Sequence, residues 1–137
     1  MAVKLVVIYP RPKDVEAFET VYNRDHVPMA VAKLAGKTKI VATRVLGSPA
    51  GEPPFHRIAE VYFPSMEALE QCAASEGGKQ TIGNVVSISS GRAPVSLVAE
   101  EDTFVFRIVQ AGTTTAVTTV DVGEGGERRI FRVSLGH

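Results

Sequence analysis

The chain has 137 residues, of which 45% are hydrophobic and 22% are charged, as in an ordinary globular protein. Fifteen basic residues balance fifteen acidic ones, so the charge favours neither nucleic acid nor a membrane surface as a partner. The single cysteine, Cys72, excludes an intramolecular disulfide, and we expect a reducing, cytoplasmic location.

The first predicted elements are a strand and a helix. Residues 3–9 form a β-branched run that is too short to span a bilayer, and Pro10 ends it. Asp14 is suited to cap the helix that follows. One face of this helix has apolar or aromatic residues at spacings of three or four, namely Val15, Phe18, Tyr22, His26 and Met29.

Pro28 interrupts that helix. Its ring disfavours helical geometry at Val27 and it has no N–H to donate, so we expect the helix to break or kink near His26. A second short helix then begins at Pro28 and runs to about Leu34.

The next elements are two strands and a helix. Residues 38–46 and 55–63 alternate as strands around a loop rich in proline and glycine. In the second of these strands one face carries His56, Ile58, Glu60 and Tyr62. Ser65 caps a helix that ends near Gly77, residues 79–90 are predicted to be irregular or briefly helical, and residues 94–100 form a fourth strand.

This β-α-β-β-α-β order predicts an α+β, ferredoxin-like domain over residues 1–102, with a four-stranded antiparallel sheet. The two helical segments cover one face of the sheet. The other face is apolar and must be buried, and packing it against a second copy of the chain predicts a homodimer. Residues 103–137 alternate as three strands (104–109, 115–122 and 129–135) and form a C-terminal β extension that is too small to fold alone. We expect it to join the main sheet or to reach the partner subunit.

The motifs of several functional classes are absent from the sequence. There is no phosphate-binding glycine loop and no Gly-x-Ser-x-Gly elbow. His26, His56 and His137 lack metal-ligand spacing, and one cysteine cannot build a thiolate site. We therefore predict no metal and no cofactor.

His26 and Tyr22 are the candidates for chemistry. A histidine can take or give a proton near neutral pH, and Tyr22 lies one helical turn earlier, where it can bind the same ligand. The helix dipole favours the charged imidazolium while burial opposes it. The structural alternative is that His26 caps backbone carbonyls that Pro28 leaves free.

Residues 22–30 resemble the Tyr…His-x-Pro-Leu signature of the EthD family, with Tyr22, His26 and Pro28 at the matching positions. Residues 3–12, 59–69 and 75–79 are similar to the family in the same order, so the resemblance covers about residues 3–101. It implies a dimeric α/β barrel with a pocket between sheet and helices in each subunit. The tail after Thr103 departs from the short ending that is usual in the family.

The resemblance also implies a class of function. Members of the family are often labelled reductases or linked to ether degradation, and wider relatives of the fold include cofactor-free monooxygenases, lactone isomerases and polyketide cyclases. We therefore predict a cofactor-free enzyme, of oxidoreductase or isomerase/cyclase type, that acts on a small hydrophobic, aromatic or polyketide-like molecule through His26 and Tyr22. The alternative is a binding protein that performs no reaction. The predicted ligand-binding residues are Phe18, Tyr9, Met29, Glu60, Tyr62 and His56.

Two further residues have structural interpretations. Glu60 needs a partner if its face is buried, and we expect an ion pair with Arg44 or His56 rather than a general base. Cys72 lies on the apolar face of its helix and is predicted to be part of the core.

Overall fold

The computed structural model of the protein describes residues 2–105, 115–122 and 127–134. In chain order its elements are β1 (Ala2–Pro10), α1 (Val15–Val21), a π-helical turn (Tyr22–His26), α2 (Val27–Lys33), β2 (Lys39–Arg44), β3 (Phe55–Phe63), α3 (Met66–Ala74), α4 (Glu76–Ile88), β4 (Val95–Glu101), β5 (Thr115–Val122) and β6 (Glu127–Ser134). Two compact units result, one formed by Val3–Ala99 and the other by the described residues outside that range. In the described ranges, no helix has the length and apolar character that a membrane span requires.

The main sheet has the strand order β2-β3-β1-β4. The strand β3 pairs antiparallel with both β1 and β2, and Val61, for example, lies between Leu5 and Ile40. This order and the intervening helices confirm the predicted α+β, ferredoxin-like fold.

The helices pack on one face of this sheet. Alternate residues of β1 and β3 point to that face, as the two-residue period of a strand requires. The sheet residues that pack with helix residues in the two core clusters are Val3, Leu5, Val7, Tyr9, Ile40, Ala59, Val61 and Phe63. Burial of Leu69 and Cys72 confirms the predicted apolar face of α3 and the core position of the cysteine.

The segment from α1 to α2 is a continuous helix with a wider turn in its middle, so the helix is distorted near His26 without breaking there. The second short helix predicted from Pro28 to about Leu34 corresponds to α2. An α-helix would bring the Pro28 ring against the carbonyl of Arg24. The chain instead forms a π-helical turn, in which the Val27 N–H donates to the Tyr22 carbonyl. With the turn widened, Ala30 rather than Met29 follows His26 on the buried face.

Residues 79–90 were predicted to be irregular or briefly helical, and most of them belong to the 13-residue helix α4. Ser75 caps it, because its side chain accepts a hydrogen bond from the Gly78 N–H at 3.0 Å. A side chain at Gly78 would place its Cβ only 1.9 Å from the Cys72 carbonyl oxygen. The two glycines therefore permit a close turn between α3 and α4 and do not end the helix.

The described part of the tail is a hairpin. β5 pairs antiparallel with β6, with Thr115 opposite Ser134, and the two form a sheet of their own instead of joining the main one. Most of the strand predicted at residues 104–109 lies outside the described residues.

Candidate functional site

A small apolar cavity lies between the main sheet and the helices. Its volume is about 110 Å³. Its walls come from all four strands of the main sheet, the π-helical turn, α2, α4 and Leu34 just after α2, and the residues are Leu5, Val7, Tyr9, Tyr22, His26, Val27, Ala30, Leu34, Ile40, Ala42, Ala59, Val61, Thr81, Ile82, Val85 and Ser96. No charged side chain contributes to this lining.

His26 is in the cavity wall, and both its ring nitrogens are hydrogen-bonded. Nε2 is 3.1 Å from the Tyr9 hydroxyl oxygen, and Nδ1 is 2.8 Å from Oδ1 of Asn84. Because Oδ1 only accepts hydrogen bonds, Nδ1 carries the proton and Nε2 carries the lone pair that accepts from the Tyr9 O–H. The alternative that His26 caps backbone carbonyls is therefore wrong.

Burial sets the protonation of this group of residues. It lowers the pKa of His26 below its usual value, while the hydrogen bond to Asn84 acts in the opposite direction. Burial, together with the nearby Tyr22, raises the pKa of Tyr9 well above the usual range. At neutral pH the pair is therefore a neutral imidazole and a protonated phenol.

Tyr22 lines the same cavity and stacks with its neighbours on the helix. Its ring centroid is 5.6 Å from that of His26 and 5.5 Å from that of Phe18. The guanidinium of Arg57 lies over the Tyr22 ring, 4.9 Å from its centroid. Tyr22 is thus held by ring contacts and by a cation.

Arg57 belongs to a charged cluster beside the cavity. It donates two hydrogen bonds to the Glu19 carboxylate, at 2.8 and 3.1 Å, and Arg44 lies 3.4 Å from the same group. A β-bulge at Tyr9 and Pro10 shifts the register of β1 and β3, so both His56 and Arg57 reach Glu19. His56 therefore leaves the face that strand alternation predicted for it.

Glu60 and Tyr62 lie on the opposite face of the sheet. Glu60 forms an ion pair with Lys4 at 2.5 Å and accepts a hydrogen bond from the Tyr62 hydroxyl at 3.2 Å. The predicted partners Arg44 and His56 are wrong, because both approach Glu19.

The structure thus separates the predicted site residues into two groups. Tyr9, Tyr22 and His26 line the cavity. Phe18 packs against the rings of Tyr9 and Tyr22. The predicted site residues that do not line the cavity are Phe18, Met29, His56, Glu60 and Tyr62.

Asn84 is the residue that the sequence did not reveal. It is 58 positions from His26, in a segment that was predicted to be irregular or only briefly helical, and no motif includes it. An amide among the apolar residues Ile82 and Val85 would have been the only available signal. Among the described residues, no group of three or more His, Cys, Asp or Glu side chains is arranged to hold a metal ion.

Comparison with solved structures identifies similar chains. An ethyl tert-butyl ether D (EthD) family protein from Bacillus halodurans C-125 is 32% identical, with a TM-score of 0.69 over 74% of this chain and 99% of the other. A dimeric ferredoxin-like protein of unknown function from Jannaschia sp. CCS1 is 12% identical, with a TM-score of 0.56 over 74% of this chain and all of the other. The second likeness concerns the fold alone.

Sequence comparison agrees with the first of these. An uncharacterized 11.0 kDa protein of the thcB-thcC intergenic region of Rhodococcus erythropolis is 26% identical over 98 residues, which are 72% of this chain and 94% of that protein. The model of the EthD domain matches residues 11–84, more than half of the chain, including the π-helical turn and Asn84. The chain therefore belongs to the EthD domain family.

Proposed function

We propose that this protein is a cofactor-free enzyme that acts on a small hydrophobic molecule by proton transfer at His26. The observation that carries the proposal is the hydrogen-bonded line Tyr9–His26–Asn84 in the wall of an otherwise apolar cavity. A buried polar network on an apolar wall is costly unless it is fully paired, and here a group able to titrate near neutral pH is at its centre.

In this proposal Nε2 of His26 is the general base. Asn84 holds the proton on Nδ1, which keeps the lone pair on Nε2, and its carbonyl stabilises the imidazolium once a proton has been taken. The lowered pKa of His26 keeps the ring unprotonated at neutral pH. General acid–base help of this kind contributes roughly 10²–10⁴-fold to a rate.

Tyr9 supplies the matching acid in an enolisation. When Nε2 takes the substrate's Cα proton, the new N–H can donate to the Tyr9 oxygen. The Tyr9 O–H is then free to donate to the substrate oxygen on which the negative charge develops. The C–H bond breaks and its proton goes to Nε2, its electron pair forms the new C=C bond, and the π pair of the carbonyl moves onto the oxygen, so no electron acceptor is required. Lactone shifts and cyclisations begin with the same proton removal.

Deuterium exchange tests the proposal without knowledge of the natural substrate. Small ketones in D₂O should lose their α-protons faster with the wild type than in buffer, as followed by ¹H NMR. His26→Ala should lower the protein-dependent rate roughly a hundredfold or more. Asn23→Ala, which removes only an exposed side-chain hydrogen bond to the Glu19 carbonyl, is the control and should not change it. Equal rates for wild type and His26→Ala contradict the proposal.

A second candidate function is binding without chemistry. It is favoured by the burial of Tyr9, none of whose surface is accessible to water, and by the mutual pairing of the ring nitrogens of His26. A binding protein predicts that His26→Ala weakens ligand affinity only modestly. A bulky residue at a lining position, as in Ala59→Phe, should abolish binding.

We also propose that the protein acts as a cytoplasmic homodimer. Val6, Ile8 and Ile58 lie on the sheet face opposite the helices and are only half-buried. A second copy packed on that face would bury them, and the ferredoxin-like protein from Jannaschia is described as dimeric. Residues 1–102 would form the barrel domain and residues 103–137 its extension. The mass in solution tests this, and a monomer at micromolar concentration contradicts it.

A further inference from the structure

The size and the lining of the cavity define a narrower class of ligand than a hydrophobic molecule in general. The inference rests on the proposed function only in taking this cavity as the ligand site. Its steps concern the volume, the charge and the distribution of polar groups.

The volume limits the ligand to about one ring. In the liquid each water occupies about 30 Å³, and an apolar protein cavity of about 150 Å³ is known to hold benzene. A space of about 110 Å³ therefore accepts a single six-membered ring only as a close fit. Two fused rings exceed this volume.

The lining excludes a charged ligand. The walls are almost entirely hydrophobic side chains, and no Asp, Glu, Lys or Arg is among them. Taking a carboxylate or an ammonium out of water without a partner costs far more than hydrophobic contact returns. A neutral molecule is required.

The polar groups of the lining are few. Tyr9 and His26 supply polar atoms from β1 and the π-helical turn, Tyr22 supplies another from that turn, and Ser96 supplies a hydroxyl from β4, whereas the Thr81 hydroxyl on α4 already donates to the Gly77 carbonyl at 2.8 Å. A ligand whose one polar group meets Tyr9 and His26 is satisfied there, and further polar groups away from these residues and Ser96 would be buried without partners.

We propose that the ligand is a neutral molecule about the size of one six-membered ring, apolar except for a single hydroxyl or carbonyl group that faces Tyr9 and His26. This narrows the aromatic or polyketide-like class expected from the sequence to single-ring compounds.

The α4 helix offers a matched pair of variants for the test. Val85 lines the cavity and is 5% exposed, whereas its neighbour Val86 does not line it and is 64% exposed. Val85→Ala should enlarge the cavity, and Val86→Ala removes the same atoms at the surface. Ile82, which lines the cavity at a more exposed position, supplies a second enlarging variant, Ile82→Ala, for the case that Val85→Ala does not fold.

Calorimetric titration of the full chain with phenol, toluene and 2-naphthol tests the proposal. Phenol and toluene have the same number of heavy atoms, and only phenol has the hydroxyl. Phenol should bind the wild type about fivefold more tightly than toluene, because it gains one hydrogen bond. It should also bind at least tenfold more tightly than 2-naphthol, although 2-naphthol has more apolar surface. Val85→Ala should remove most of the discrimination against 2-naphthol, and Val86→Ala should retain it.

Several results would overturn the ligand class. They are undetectable binding of phenol, wild-type affinity for 2-naphthol equal to that for phenol, and equal effects of the two valine variants. These results are distinct from failure of the proposed function. If the protein prefers phenol to 2-naphthol but does not speed ketone exchange, the ligand class is supported and catalysis is rejected. If one-ring and two-ring ketones exchange equally fast with the protein, catalysis is supported and the ligand class is rejected.

Discussion

Two buried histidines lie on either side of the ring cluster of Phe18 and Tyr22, and their surroundings differ. His26 is 5% exposed, and its nitrogens are bonded to a phenol and an amide, both neutral. His56 is 3% exposed and lies in a charged cluster, where its Nε2 is 3.7 Å from the Glu19 carboxylate without a hydrogen bond. Burial lowers the pKa of both residues.

This difference indicates which histidine is suited to move a proton. Glu19 already accepts two hydrogen bonds from Arg57, and the guanidinium charge offsets that of the carboxylate. Little of the negative charge of Glu19 is therefore left to favour a proton on His56. The cluster therefore attaches β3 to α1 and holds Arg57 over the Tyr22 ring. His26 is next to a cavity, and its tautomer is fixed by Asn84. Similar burial thus accompanies a structural role at His56 and the proposed chemical role at His26.

The largest expected effect is on the charged cluster. Arg57→Met should lower the free energy of unfolding by about 3 kcal/mol. Glu19 is largely buried, and without Arg57 it would keep only the buried His56 and the exposed Arg44 as neighbours. The control is Arg24→Met, since the ion pair of Arg24 with Asp25 is exposed to solvent and should contribute little to stability. Urea unfolding measures both, and equal costs would show that the cluster is not a buried ion pair.

The next effect concerns the network of His26. Tyr9→Phe should destabilise the fold by about 2 kcal/mol, because it leaves the buried Nε2 without its partner. Loss of the Tyr62 hydroxyl in Tyr62→Phe should cost less, because Glu60 keeps its ion pair with Lys4. If the two phenylalanine variants are equally stable, the bond between Tyr9 and His26 contributes little.

The pH dependence of stability follows from the direction of the pKa shifts. The folded-state pKa of each histidine lies below 6.5, so the unfolded chain binds more protons in acid. This contribution is present above pH 6.5 and is lost as the pH falls through the folded pKa. His26→Gln and His56→Gln should each make the free energy of unfolding fall less steeply with decreasing pH, by at most about 1.4 kcal/mol per pH unit.

Unfolding measured between pH 7.5 and 5 checks this expectation. Glu19 does not interfere in that window, because its pKa is lowered from 4.5 and its own contribution is lost only at lower pH. Burial would raise the pKa of Glu19, but the hydrogen bond and charge of Arg57, with His56 and Arg44, outweigh it. An unchanged slope in either variant would contradict the lowered pKa of that histidine.

The smallest expected effect is at Asn84. Asn84→Ala should cost about 1 kcal/mol of stability and lower the pKa of His26 further, because the bond to Asn84 favours the protonated ring. An NMR titration of the ring protons measures the shift, with Asn23→Ala as control. If Asn84→Ala raised the pKa of His26, the hydrogen bond to Asn84 would not favour the protonated ring.

Much of the fold could be predicted from the sequence because its signals are local. Asp14 and Ser65 cap α1 and α3 as expected, and the order of strands and helices indicated the sheet topology. The close packing of helices depends on contacts between distant residues, which the sequence pattern does not show. Gly77 and Gly78 suggested a break, whereas the approach of α4 to Lys33 and Cys72 requires glycine there.

The site was only partly predictable, for the same reason. Helical spacing joined Tyr22 to His26, but the hydrogen bonds of His26 go to Tyr9 and Asn84, from β1 and α4. The partners of Glu60 were mistaken because a β-bulge turns His56 toward Glu19. Bulges and long-range pairs leave no periodic pattern in the chain.

The protonation of the His26 ring tests the central claim most directly. In ¹⁵N-labelled protein at pH 7.5, long-range correlation spectra should show a neutral ring with its proton on Nδ1 and a lone pair on Nε2. Tyr9→Phe should then alter the Nε2 signal more than the Nδ1 signal. A proton on Nε2, or an imidazolium at that pH, would contradict the assignment of His26 as the base.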